Sequence, residues 1–188
     1  MMEEIIKKTI TFDSAHRVMW ERFKCFNLHG HTYHMTLSLR YYKKEEIGYA
    51  IDFKEIKRVM AFVENALDHG AILCSEDEEL ISLCKNNGWK LFVINCNPTS
   101  ENIASILYYI FDSIFSKLYG RQVLEVCEVS LKETPTSEVV CRRLVKNTSK
   151  DVVKTVANFL QNFEKIEYDA RKMKPADDTK NHSDKSNN

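Results

Sequence analysis

The stretch CFNLHGHTYH, Cys25 to His34, holds one thiol and three of the chain's six histidines. His29 and His31 are two apart, so on a strand both imidazoles project from one face. His16 lies in an earlier alternating segment and shares parity with Ile6, Ile10 and Phe12. Three imidazoles converging from two strands would suit zinc, and a catalytic zinc takes three protein ligands and keeps a position open. An HxH pair alone does not establish a metal site, and a lone strand histidine such as His16 is often only hydrogen-bonded. His34 has the other parity and is expected to face away or stand behind the site.

Four further residues could move protons or recognise a ligand. Cys25 reads either as an apolar thiol beside Phe23 and Phe26, or as a thiol activated by the neighbouring Lys24 and His29. Asp68 and His69 close an expected helix; they read as a solvated helix end or as a carboxylate orienting an imidazole for proton transfer. Glu133 shares parity with Val129 and Leu131. A carboxylate at the edge of an apolar face is costly unless it meets donors. It is therefore either a surface strand end or a bidentate acceptor for a ring amide and amino group.

The elements that must carry these residues follow from periodicity. Residues 4 to 17 and 29 to 42 alternate as strands, with an aperiodic loop over 18 to 28. Asp52 is placed to cap a helix running to about His69, with Ile56, Val59, Met60, Val63 and Leu67 at helical spacing and Gly70 ending it. SEDEELISLCKNN reads as a short helix closed by Gly88, and WKLFVI as a strand. Pro98 and Glu101 suit the first turn of a helix whose apolar stripe is Ile103, Ile106, Leu107, Ile110, Ile114 and Leu118, closed by Gly120. Val123 to Glu133 is expected as a strand with Val123, Cys127, Val129 and Leu131 on one face. Glu138 to Val145 is expected to follow it as a second strand. The order gives α+β with hairpins at both ends.

The length of 188 residues suits one substantial core. Lys plus Arg and Asp plus Glu number 27 each, so net charge supplies no argument for a nucleic-acid partner. The start, MMEEIIKKTITFDSAHR, lacks a long apolar run, and IASILYYIFDSIF is broken by Asp112 and too short to span a bilayer. The expectation is a cytoplasmic protein with no membrane association, whose six cysteines are free thiols. Val152 to Phe163 fits an amphipathic helix. The chain is thus expected to divide into a catalytic domain (1–146), an accessory C-terminal helix (147–171) and a disordered polar tail (172–188).

Taken together, FDSAHR (12–17), CFNLHGHTY (25–33), IDF (51–53), LDH (67–69), PTSENIA (98–104) and SLKET (130–134) resemble the 6-pyruvoyltetrahydropterin synthase family. The likeness covers roughly residues 5 to 145 and is strongest to the 6-carboxytetrahydropterin synthase branch of queuosine biosynthesis. Only three residues separate Cys25 from His29, as in that branch. The resemblance implies a tunnelling fold (T-fold), an antiparallel sheet with helices packed on one face. It implies zinc held by His16, His29 and His31, with Cys25 as catalytic thiol, Asp68 and His69 as proton-transfer pair, and Glu133 as pterin anchor. It also implies a homohexamer, a dimer of trimers with active sites between subunits. The segment GAILCSEDEEL after His69 lacks a leucine-asparagine pair common in the family, Ser75 to Lys90 is longer than in compact members, and residues 146–188 fall outside the likeness.

The implied reaction is a zinc-dependent carbon-carbon lyase step. It converts 7,8-dihydroneopterin triphosphate into 6-carboxy-5,6,7,8-tetrahydropterin, acetaldehyde and triphosphate, with no redox cofactor. Two alternatives stay open: a 6-pyruvoyltetrahydropterin synthase that stops after triphosphate elimination, and a non-enzymatic zinc- and pterin-binding module.

Overall fold

The computed structural model describes residues 4–143 and 148–172. The expected boundary at 146/147 and the tail beyond Lys172 lie outside the described residues. The first hairpin pairs β1 (Ile5–His16) antiparallel with β2 (His29–Tyr41). A helix α1 (Phe53–Ala66) leads to β3 (Gly70–Cys74), α2 (Glu78–Asn86) and β4 (Leu91–Ile94). The long α3 (Ser100–Tyr119) precedes the second hairpin, β5 (Leu124–Thr134) and β6 (Ser137–Arg142), and α4 (Lys150–Lys172) follows.

The six strands form one sheet in the order β4-β3-β1-β2-β5-β6. Four are antiparallel, as expected from the hairpins, but β3 lies parallel to β1 and β4 parallel to β3. The mixed sheet with helices on it is an α+β architecture. β3 has no counterpart in the sequence reading, since five residues are too few to show a period. Its alternation is nevertheless real: Ile72 joins the main core, whereas Ala71 and Leu73 pack with Leu80, Cys84 and Leu91. Helix α2 therefore covers the opposite sheet face from α1, α3 and α4, and the expectation of helices on one face holds for those three only.

Two further differences have local causes. Helix α1 ends at Ala66, and the left-handed residue is His69 (φ 55°), not Gly70, which instead starts β3. In β5, the register against β2 shifts between Ser38 and Leu39, so Cys127 is an extra residue. The core face consequently carries Leu124, Val126, Val129 and Leu131, rather than the Val123 and Cys127 of simple alternation.

The core begins between β1 and β2, where Phe12 and Tyr33 stack at 5.0 Å, and extends through α1 and α3. Asp112, which breaks the apolar run of α3, is buried and paired with Arg121. Helix α4 lays Val152, Val156, Phe159 and Leu160 against this core, with the Phe159 ring 5.0 Å from Phe62 and 6.1 Å from Phe92. Val153, assigned by periodicity to the same stripe, is 54% exposed. Among the described residues no helix is long and apolar enough to cross a membrane.

The face that α4 presents is testable. Phe159→Ala should destabilise the protein by roughly 2–4 kcal/mol, and Val153→Ala by less than about 0.5 kcal/mol, in urea unfolding. Equal losses would mean that α4 docks in another register.

Candidate active site and metal centre

The register of β1 on β2 places His16 directly opposite His29. Their rings, with that of His31, occupy the end of the face that carries Phe12 and Tyr33. Ring centroids lie 4.4 Å apart for His16–His29, 5.2 Å for His16–His31 and 5.0 Å for His29–His31. One ligand atom from each of the three lies within 4.8 Å of the others.

Hydrogen bonds decide which ring nitrogens face inward. His16 Nδ1 lies 2.7 Å from the Pro98 carbonyl, and His29 Nδ1 lies 2.8 Å from the Asn27 carbonyl. A carbonyl only accepts, so each Nδ1 carries the proton and donates. In a neutral ring so oriented Nε2 is a bare lone pair, and the two Nε2 atoms sit 3.1 Å apart. Two lone pairs at that distance repel unless a proton or cation lies between them. Nitrogens about 2.0–2.1 Å from a tetrahedral zinc lie roughly 3.3 Å from one another, so the donor set fits zinc. Backbone carbonyls on the far nitrogens are the usual way such ligands are oriented. His16 is only 2% exposed, and burial is the main cause of its lowered pKa, keeping the ring neutral and able to ligate.

Glu133 reaches the same place from β5. Its Oε1 lies 3.7 Å from His16 Nε2 and 3.9 Å from His31 Nε2. The β5–β6 register shifts between Lys132 and Thr134, leaving Glu133 as the extra residue of an irregularity that helps aim its side chain. Tyr33 donates to its Oε1 across 3.5 Å. Burial, with the carboxylate beside it, pushes the Tyr33 pKa up, so the phenol stays a donor.

Cys25 sits in a short 3-10 turn, Lys24–Phe26, within the loop between β1 and β2, and its thiol is exposed. It is not the apolar packing residue of the plainer reading. Its carbonyl accepts from Val18 N at 2.8 Å, and Glu21 Oε2 accepts from Phe23 N (2.7 Å) and Phe26 N (3.2 Å). Asn97 holds the start of the loop, accepting from Met19 N at 2.7 Å and donating to Met19 O at 3.0 Å. Arg17 donates through Nε to Asp77 (2.8 Å) and lies 3.2 Å from Glu79, so these carboxylates already match its charge.

Asp68 and His69 do face each other, with His69 Nδ1 2.8 Å from Asp68 Oδ2. The other Asp68 oxygen accepts from Asp13 N at 2.7 Å, which is the main cause of its lowered pKa, with His69 adding to it. His69 N donates to Asp13 O at 2.7 Å, fixing the left-handed turn against β1. No hydrogen bond, ion pair or ring contact among the described residues joins this pair to Cys25 or to the three histidines. His69 lines a cavity of about 250 Å³ with Ala15, Leu28, Leu73, Leu80 and Trp89, on the α2 side of the sheet, and also an open pocket that it shares with Asp13 and His31. His34 faces away from the triad, pairing across to Lys132.

Several participants escape sequence reasoning. The Pro98 and Asn27 carbonyls carry no side-chain signal at all. Asn97 and Tyr33 lie inside or beside recognised motifs, and parity alone places Tyr33 below His31.

Residues 5–144 match the model of the family described as 6-pyruvoyl tetrahydropterin synthase. The chain is 35% identical over 130 residues to the 6-carboxy-5,6,7,8-tetrahydropterin synthase of Rickettsia felis, covering 68% of this chain and 92% of that protein. It is 30% identical over 139 residues to the Haemophilus influenzae protein of the same name, covering 70% and 94%. Among solved structures, an uncharacterized Wolinella succinogenes protein aligns with TM-score 0.66 and 21% identity over 77% of this chain and all (100%) of that one. The Plasmodium vivax 6-pyruvoyl tetrahydropterin synthase aligns with TM-score 0.56 and 19% identity over 76% and 99%. These two share the fold. With a family match spanning both hairpins and all four site segments, the chain belongs to the 6-pyruvoyl tetrahydropterin synthase family.

Proposed function

We propose that this chain is a zinc-dependent 6-carboxy-5,6,7,8-tetrahydropterin synthase acting on 7,8-dihydroneopterin triphosphate, a carbon-carbon lyase of queuosine biosynthesis. The observation that carries the proposal is the pair of inward-facing Nε2 atoms of His16 and His29, 3.1 Å apart, beside His31 and Glu133. The choice of branch rests on likeness to relatives bearing that name and on the three residues between Cys25 and His29.

His16, His29 and His31 hold the zinc, which when bound supplies Lewis acidity toward side-chain oxygens of the substrate. Glu133, oriented by the Tyr33 phenol, accepts hydrogen bonds from the pterin ring amide and amino group. Cys25, as thiolate, moves a proton on one face of the substrate side chain. His69 serves the other face, its Nδ1 proton held by Asp68 so that Nε2 is left as the base. Proton redistribution between side chain and ring expels triphosphate, and hydrolytic cleavage of the side chain, in which one solvent water supplies the second carboxyl oxygen and the aldehyde hydrogen, then releases acetaldehyde.

Among the described residues no contact joins Asp68 and His69 to Cys25, and we propose a homohexamer built as a dimer of trimers. In it, Cys25 of one protomer works with Asp68 and His69 of another. The exposed side chains Trp20, Phe23 and Phe26 of the Cys25 loop, and Trp89 beside His69, are apolar surfaces that such contacts would cover.

Purified protein should carry about one zinc per chain, and His31→Ala should lose it while staying folded; elemental analysis beside a thermal melt checks this. Retention of metal by His31→Ala would remove the ligand assignment. Cys25→Ala should keep zinc yet lose ~10²–10⁴-fold in turnover; a rate within about threefold of the parent would leave Cys25 no proton-transfer role. The decisive experiment is anaerobic turnover of 7,8-dihydroneopterin triphosphate followed by mass spectrometry. We expect 6-carboxytetrahydropterin and acetaldehyde. A pyruvoyl product with triphosphate and no acetaldehyde would select the earlier-stopping synthase, and bound pterin without turnover would select a binding module.

A further inference from the structure

Helix α4 lies beyond the residues that match the family model, yet its buried face is polar at one point. Thr155 is 3% exposed. Its hydroxyl donates to the Asp151 carbonyl at 2.8 Å and accepts from Asn95 N at 2.8 Å and Asn95 Nδ2 at 3.2 Å. A threonine hydroxyl has one proton and two lone pairs, so this one is saturated. Asn95 directly follows β4 and begins the segment that reaches the N-cap of α3.

That segment contacts the site twice. The Pro98 carbonyl accepts from His16 Nδ1 at 2.7 Å, which fixes the ring's orientation and turns its Nε2 inward. The Asn97 side chain holds Met19 through both main-chain groups, at 2.7 and 3.0 Å, where the Cys25 loop leaves β1. The segment is braced on its far side by Asn102 Nδ2, which donates to Asn97 O at 2.9 Å. Nothing in the sheet holds Asn95 N; its acceptor is a side chain of α4.

We propose that Thr155 is a positioning residue of the active site, anchoring segment 95–98 from α4 so that Pro98 orients His16 and Asn97 fixes the root of the Cys25 loop. This assigns the C-terminal helix a role in the site itself. The metal half of the proposal rests on the zinc reading above; the loop half does not.

The test uses the full chain and the variants Thr155→Val and Thr155→Ser. Valine keeps the shape and removes the hydroxyl. Two readouts are followed: exchange of the Met19 amide by NMR, and Co²⁺ affinity of the metal-free protein by its visible absorption. A role confined to docking α4 would speed exchange within α4 and at Asn95 but leave Met19 and cobalt affinity alone. The positioning role predicts Met19 exchange faster by about tenfold or more and cobalt affinity weaker by roughly tenfold, both restored by Thr155→Ser. A folded Thr155→Val with Met19 exchange and cobalt affinity unchanged overturns the proposal. If the parent takes up no Co²⁺, the zinc reading fails, and Met19 exchange alone still decides whether Thr155 holds the loop. If Thr155→Val does not fold, Thr155→Ala, which also removes the hydroxyl, must speed Met19 exchange and weaken cobalt binding in the same way; unchanged values there overturn the proposal equally.

Discussion

A strand residue can face only one of two sides, and in this protein that constraint is set by the register of β1 on β2. With His16 opposite His29, and Phe12 opposite Tyr33, one face is apolar in its middle and basic at its end. The same strands that bury the core therefore deliver the imidazoles, with no loop intervening. Tyr33 stands at the junction, stacking on Phe12 below and donating to Glu133 above. The apolar layer beneath also matters electrostatically. It excludes water from His16 and favours the neutral ring, the form able to bind a cation.

The other functional groups are positioned differently. Cys25 and the Asp68–His69 pair stand on connections, and each connection is tied down by a short set of hydrogen bonds, the first to Asn97 and the second to Asp13 of β1. His69 accepts a left-handed backbone, which disfavours a non-glycine residue by roughly 1–2 kcal/mol. The cost is offset where Asp68 accepts from Asp13 N and His69 N donates to Asp13 O. Lys90 adds to this corner by donating to the carbonyls of Asp68 (2.6 Å) and Glu64 (3.2 Å) at the end of α1. Strands thus supply a rigid donor set, and loops supply the proton-transfer groups.

Much of this was legible from spacing. The parity of His16, His29 and His31 survives in the structure because long antiparallel strands keep a strict period of two. The helix stripes of α1 and α3 were readable for the analogous reason, although Leu118 at the end of α3 is exposed. What was not legible depends on partners distant in sequence. The five residues of β3 pair only because β1 offers an edge, and the left-handed turn falls on His69 because Asp13 holds it there. The ring orientations of His16 and His29 depend on carbonyls, which have no letter in a sequence. Nor could composition show that Arg17 is engaged by Asp77 and Glu79.

The unpaired Cys127 in β5 has a consequence for which changes of chain length the fold can absorb. Between Leu124 and Glu133 the side chains change parity once, at that residue. Deleting it would close the bulge: Leu124, Val126, Val129, Leu131 and Glu133 would then alternate evenly on one face, with the partners in β2 unchanged. Deleting Ser130 instead would break the alternation. With Leu124, Val126 and Val129 in place, Lys132 would then point toward the histidines and Glu133 away from them. A single-codon deletion is thus absorbed at Cys127 and disruptive three residues later, whereas an insertion in the turn Thr134–Ser137 would leave both halves of β5 as they are.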